Sequence, residues 1–384
     1  MSRIASVSPC GLAVLLAAAW CSAACASEVP ANTWQKVEID WKAVLAAHTP
    51  DGRWDTTDGY SDNVYRSKTG EILIRTGIES KALGTSPGYY TNTTVRWDPK
   101  AGAAAVEEIA HWGGGSYGGG KLLPAFQEHP TPSPRHTYDG ICYVEPEDAV
   151  YLVLGANWKT GLGDKAEADA KEALAKDNKS LWKYAFAEKR WTRIEDGIAS
   201  AGYTGSPYEN HLTHWPQGEK LLFLNDGGNF YAEFDLKSQK WEKLSTKNKC
   251  PMRVYNARSA WDSKRALWVF RLGEKLCTFN PASKEFAALP NCWDLPVLSK
   301  EEAAKDKDPR RKAKGVCYIS KHDVYLVIGP TGNDTRVFDP NANVWKDAKG
   351  GELPLVNGYL QYDPATDCVL MNYQLECFRF RYVP

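Results

Sequence analysis

Short, largely apolar runs of about five residues recur along most of the chain, joined in pairs by tight polar turns. "HLTHWPQGEKLLFL", "ARSAWDSKRALWVF" and "KGVCYISKHDVYLVIG" each read as strand, turn, strand. Downstream of such a pair stands an aromatic residue, then six residues, then a second aromatic. The pairs are Tyr184 and Trp191, Phe234 and Trp241, Phe279 and Phe286, and Phe338 and Trp345. "TRI", "EKL" and "AAL" follow the first three, each ending apolar, with "KDA" a weaker fourth. Each unit is four short strands, repeated at intervals of about 45 to 60 residues, the pattern of a β-propeller.

The units number six. The first surrounds "SDNVYRSKTGEILIRTG" and "NTTVRWDP", the second "GICYVEPEDAVYLVLG" and "LWKYAFAEKRWTRI". Three more carry the pairs ending at Trp241, Phe286 and Trp345, and "NGYLQYDPATDCVLMNYQLECFRFRYVP" supplies three strands of the last. Its missing strand is "NTWQKVEI", where Trp34 and Val37 repeat the spacing of "KWEKL". The expected fold is all-β: a six-bladed propeller in one domain, residues 27–384, closed by the N-terminal strand around Trp34. Closure removes open sheet edges.

The aromatic pairs resemble those of the kelch-repeat family and of galactose-oxidase-like propellers, whose blades set a tryptophan after a similar gap. The Gly-Gly doublet usual in kelch blades stands only at Gly227 and Gly228; elsewhere single glycines remain (Gly155, Gly273, Gly329). Protein binders, copper oxidases and structural modules share such propellers, so the resemblance implies architecture and leaves the activity open.

Loop lengths are unequal. Turns between first and second strands ("EPEDA", "PQGE", "DSKR", "SKHD", "DPATD") and between third and fourth ("LKSQ", "PASK", "PNAN") are tight. The long connections, such as "AHWGGGSYGGGKLLPAFQEHPTPSPRH" and "GANWKTGLGDKAEADAKEALAKDNKS", all belong to the other two kinds. Because strands alternate in direction, the long loops share one face of the disc, where function is expected. Short helices are expected there at 165–176 and 301–305. The same face gathers the starts of the innermost strands, with Arg135, His136, Tyr138, Tyr208, His211, Arg253, Tyr255 and Arg258 as candidate ligand-binding residues. Tyr stacks on sugar rings, and Arg pairs with carboxylates. Their first reading is glycan recognition. The alternative is a uronate-polysaccharide lyase, with His136, Tyr138 or His211 as base and Arg253, Arg135 or Arg258 on the carboxylate. A protein-interaction scaffold is the further alternative. Equally, these side chains can hydrogen-bond between blades and plug the channel.

Composition narrows the partners. Lys+Arg and Asp+Glu both number 47, which leaves no global field for nucleic acid. The local basic run "KDKDPRRKAK" is interleaved with Asp and reads as a solvated loop. Residues 1–26 read as a cleaved signal peptide: Arg3, the apolar "GLAVLLAAAW", then Ala24-Cys25-Ala26. Export follows, with a lipid anchor at Cys25 as the weaker variant; no membrane span and a monomer are expected. Of the cysteines beyond residue 26, Cys142 and Cys317 occupy equivalent strand positions. Cys250 with Cys292, and Cys368 with Cys377 across a turn at Asn372 and Tyr373, are candidate pairs. No cysteine has zinc spacing. "HLTH" puts His211 and His214 on opposite strand faces, and "GGGSYGGGKL" lacks the Ser or Thr of a P-loop. No metal or cofactor is expected.

Overall fold

A computed structural model describes residues 29–40, 44, 56–57, 63–80, 89–101, 103–110, 132, 135–157, 179–194, 197–205, 210–225, 229–254, 257–296, 298, 300–305, 308, 310, 313–351, 353, 358–373 and 376–384. It is a six-bladed propeller of antiparallel sheets. From the inside outward, blade one runs Asn63–Arg66, Glu71–Ser80, Tyr89–Asp98 and Ala103–Ala110. A short segment, Thr56–Thr57, also pairs with its second strand. Blade two runs Ile141–Val144, Ala149–Val153, Leu181–Ala185 and Arg190–Ile194; blade three, His211–Trp215, Lys220–Asn225, Phe230–Asp235 and Lys240–Leu244. Blade four holds Arg258–Asp262, Leu267–Leu272, Lys275–Asn280 and Glu285–Leu289; blade five, Val316–Ile319, Val324–Val327, Thr335–Asp339 and Val344–Lys349. Blade six takes Tyr359–Asp363, Cys368–Tyr373 and Glu376–Phe380, and is completed by Trp34–Val37.

That closure is the one expected from the repeat. Trp34 stands opposite Phe380 with ring centroids 4.9 Å apart, and its Nε1 donates to Thr335 Oγ1 in blade five at 2.9 Å. The other pairs are cross-strand neighbours of the same kind: Tyr184 with Trp191, Phe234 with Trp241, Phe279 with Phe286 and Phe338 with Trp345. A gap of six residues spans one tight turn and sets the two rings opposite one another across the third and fourth strands, tilted by 42–52° with centroids 4.7–5.3 Å apart. Each pair is worth about 0.5–1.5 kcal/mol beyond its burial.

The core is divided among the six blade interfaces. Leu221 and Phe223 pack toward blade two, while their neighbours Leu222 and Leu224 pack toward blade four. A middle strand therefore buries both faces, which is why "KLLFLN" reads as an unbroken apolar run rather than an alternating one.

Polar contacts rivet the blades on the face of the short turns. Tyr143, Tyr318 and Tyr362 each donate a hydroxyl hydrogen bond to the aspartate five residues on (Asp148, Asp323 and Asp367), at 2.8, 2.9 and 2.9 Å. Each aspartate has positive φ (45°, 55° and 55°), a left-handed conformation that Asp tolerates better than most residues. A basic side chain from the preceding blade closes each cluster. Arg66 reaches Asp148 through Nε and Nη2 at 2.8 and 2.7 Å, Arg265 grips Asp323 with two nitrogens, and Lys321 pairs with Asp367.

Three details depart from the sequence reading. The last hairpin continues through Tyr373, which pairs with Glu376, so Asn372 and Tyr373 are strand residues. Cys377 then faces Asn372 rather than Cys368. Cys292 is not beside Cys250: its thiol points to the Gly273 and Glu274 carbonyls. The ladder extends two residue pairs beyond Met371, Asn372 with Cys377 and Tyr373 with Glu376, so the chain reverses later than the Asn-containing dipeptide suggested. Helix is present at Lys300–Lys305, one residue earlier than expected, while 165–176 lies outside the described residues.

Candidate functional site: a central well and its polar floor

In a propeller the innermost strand of each blade lines the central channel. Aligned on the repeat, those strands place one ring-bearing residue each at the same height: Tyr65, Tyr143, His214, Trp261, Tyr318 and Tyr362. Two residues later come Ser67, Glu145, Pro216, Ser263, Ser320 and Pro364, all exposed at the start of the short turns. Both rings of residues line one cavity of about 380 Å³ to which all six blades contribute. The cavity is a well with its mouth on the short-turn face, within the size range of small-molecule sites.

The lining is aromatic and nearly uncharged. Glu145 is its one ionisable carboxylate, and neither Lys nor Arg lines it. Arg66 and Arg265, which stand nearby, are engaged by Asp148 and Asp323. Burial, followed by donation to Asp148, pushes the Tyr143 hydroxyl far above its ordinary pKa; burial and Asp323 do the same at Tyr318. These phenols stay protonated and are already committed as donors. His214 differs. It is 9 % exposed, and no hydrogen bond joins its ring to another described residue. Burial lowers its pKa, against the pull of Glu147 and Glu145, so it presents a neutral imidazole to the well.

The opposite end is closed by a buried polar layer. His211, 1 % exposed, faces Asp139 Oδ2 through Nδ1 at 3.0 Å and the Val254 carbonyl through Nε2 at 2.9 Å. Arg258, 5 % exposed, has Nη1 3.7 Å from Asp139 Oδ1 and its guanidinium 4.0 Å from the centre of the Tyr359 ring. Blades two, three, four and six thus meet across the axis, and this layer forms the floor of the well. Asn210 adds a bond to the Val153 carbonyl at 2.6 Å; Gly140 packs so closely beneath it that a Cβ would lie 1.9 Å from the amide nitrogen.

The residues expected at the channel mouth separate accordingly. His211 and Arg258 do converge, as parts of the floor rather than of an open surface. Arg135 is buried and donates to the Leu154 carbonyl at 2.9 Å, beside a two-strand ribbon pairing Arg135–His136 with Ala156–Asn157. Tyr138 is buried with φ of 49°, a conformation uncommon for a bulky residue. Arg253 is exposed on the connection between blades three and four. Tyr208, Tyr255 and the side chain of His136 lie outside the described residues, as do most of the long loops. Sequence reasoning missed the well itself. Its signal was present as the Tyr/His/Trp column three or four residues into each inner strand, two positions before a Ser, Pro or Glu.

Comparison with known proteins adds little beyond the fold. No family model and no curated protein matches the chain. Among solved structures, a streptogramin B lyase aligns over 90 % of this chain and 96 % of its own, at 9 % identity and TM-score 0.44. YCF48 bound to D1 peptide covers 93 % and 97 % at 10 % identity and 0.42. A nidogen/laminin complex covers 74 % and 77 % at 8 % identity and 0.41. Likenesses this distant carry no argument about chemistry or partners. Among the described residues no helix is long and apolar enough to cross a membrane, and no group of three His, Cys, Asp or Glu could hold a metal.

Proposed function

We propose that this chain is a recognition propeller whose ligand is a neutral glycan, taken at the central well on the short-turn face. One observation carries the reading: a cavity of about 380 Å³ ringed by an aromatic or imidazole side chain from every blade, with a single carboxylate and no cation in its lining. Sugars present apolar C–H faces that stack on aromatic rings, together with hydroxyls that need polar partners. Half-buried Trp261, Tyr65, Tyr143 and Tyr362 supply the former; His214, Gln361 and the rim serines Ser67, Ser263 and Ser320 supply the latter. A uronate would meet Glu145 and no compensating charge, which favours neutral sugars. The lyase alternative needs a base and an arginine free to meet substrate. His211 and Arg258 are instead engaged with Asp139, Val254 and Tyr359, which removes these two as the lyase's candidate base and carboxylate partner.

Titration against neutral glucans, mannans, xylans and galactans, read by tryptophan fluorescence and calorimetry, tests the proposal. Binding is expected for at least one series, with Trp261→Ala weakening it by about 10- to 100-fold, or about 1.4–2.8 kcal/mol, at unchanged fold. Silence across the panel would refute the glycan reading. New ultraviolet absorbance on uronate polysaccharides would overturn it in favour of the lyase.

A further inference from the structure

We infer that Cys250 and Cys277 form a covalent cross-link, a disulfide that fastens the connection between blades three and four to blade four. Their sulfurs are 3.9 Å apart across 27 positions of sequence. Cys277 lies in the third strand of blade four, facing blade three within the interface that also holds Leu222, Leu224 and Tyr231. Cys250 is half-buried on the connection and packs against the same cluster.

The approach is built by the backbone on both sides of Cys250. Before it, the Lys247 amide donates to the Lys284 carbonyl at 2.9 Å, and the Asn248 side chain donates to the Phe286 carbonyl and accepts from the Phe286 amide, both at 2.8 Å. These bonds lay the connection along the outer strand of blade four. After it, Met252 and Val254 are buried in the interface. A bond of about 2.05 Å needs the sulfurs to close by under 2 Å, a movement within reach of side-chain rotation. Cys250 is half-buried whereas Cys277 is buried in the interface, so Cys250 is the thiol that a small disulfide can reach and attacks as the thiolate.

Chemically the step is exchange with a small disulfide. The Cys250 thiolate attacks glutathione disulfide and releases one glutathione thiolate, which takes up the proton Cys250 gave. Cys277 then displaces the second glutathione as its own proton is lost to it, so two protein thiols are oxidised while one disulfide is reduced to two thiols. The cross-link also bears on the well. Val254, whose carbonyl accepts from His211 in the floor, is four residues from Cys250, so oxidation holds one wall of the polar layer in place.

The test treats the folded, reduced full-length chain with glutathione disulfide, then unfolds it, alkylates free thiols and maps peptides by mass spectrometry. The expected result is a peptide pair joining Cys250 to Cys277, two hydrogens lighter than the reduced pair. The cross-linked protein should also melt at higher temperature than the reduced one. Cys250→Ser, at a half-buried site, should retain the fold and abolish both the linked pair and the melting shift. Cys277→Ser, its native fold checked by its fluorescence spectrum, should likewise abolish the linked pair; a cross-link of Cys250 to another cysteine in that variant and in the wild type would count against the pairing. Alkylation of both cysteines after oxidation of the wild type, or a linked pair between other cysteines only, would overturn the inference.

Discussion

Replacing Asp148 by Asn probes the rivets between blades. Asp148 accepts two charge-assisted bonds from Arg66, at 2.8 and 2.7 Å, and one from Tyr143 at 2.8 Å. Arg66 and Asp148 side chains are each 15 % exposed, so their attraction is only partly screened. Asn keeps the side-chain shape and tolerates the φ of 45°, so the substitution removes charge without adding backbone strain. Hydrogen bonds to charged groups contribute about 1.5–3 kcal/mol each. Arg66 keeps Glu71 at 3.5 Å and its stacking over Phe186, and the Asn oxygen still accepts one bond. A loss of about 1.5 kcal/mol is expected, less than the sum of the bonds altered. For 384 residues, an unfolding entropy of about 2.1 cal/mol/K per residue makes this a fall of about 2 °C in Tm. Urea unfolding at pH 7 of wild type, Asp148→Asn, Arg66→Met and the double variant gives the coupling directly. The pH dependence adds a sign. Arg66 holds the Asp148 carboxyl far below its ordinary pKa in the folded state, so the unfolded chain takes up the proton first. The stabilisation is complete well above the unfolded value of about 3.9 and is lost as pH falls from about 5 toward the folded value. The gap between wild type and Asp148→Asn should therefore shrink on acidification. A coupling below about 0.3 kcal/mol at pH 7, or a gap constant down to pH 3, would refute the rivet.

Three further outcomes follow from the same geometry. His214→Gln should lessen the acid sensitivity of stability: burial depresses the imidazole pKa, so wild type loses stability as pH falls below about 6.5 whereas the Gln variant lacks this contribution, as paired urea midpoints at pH 7.5 and 5.5 would reveal. Trp34→Ala removes the ring against Phe380 and the bond to Thr335, at an expected cost of about 3–5 kcal/mol; calorimetry and faster tryptic release of the N-terminal strand report it, and an unchanged Tm would count against closure by this strand. Gly140→Ala drives a methyl into the Asn210 amide and the Val153 carbonyl, and should destabilise the floor by about 1–3 kcal/mol, seen as a lower denaturation midpoint.

Much of the architecture is legible in local pattern. The six-residue gap between Phe234 and Trp241 is the length of one tight turn plus the strand ends around it, so the aromatic pairs mark third and fourth strands without knowledge of any partner. Trp34 and Val37 repeat "KWEKL" closely enough to reveal that the last blade borrows its outer strand from the other end of the chain. The final hairpin was less legible, because the ladder runs on past Asn372 and nothing local marks where a strand must stop. Cysteine partners were illegible for a related reason: Cys250 meets Cys277 only because Asn248 bonds along a neighbouring strand.

The sequence by itself determined the blades, their number and the closure of the ring, since each depends on strand-length apolar runs, a recurring aromatic spacing and turns that are complete within a few residues. Only the tertiary structure decided which end of the channel is open. Asp139, His211, Arg258 and Tyr359 come from four blades and lie up to 220 positions apart. Whether such residues face a ligand or one another is fixed by the radius of the closed ring, and they meet across it. The aromatic column from Tyr65 to Tyr362 is likewise spread over six repeats and becomes one surface only when the ring brings the inner strands around a common axis.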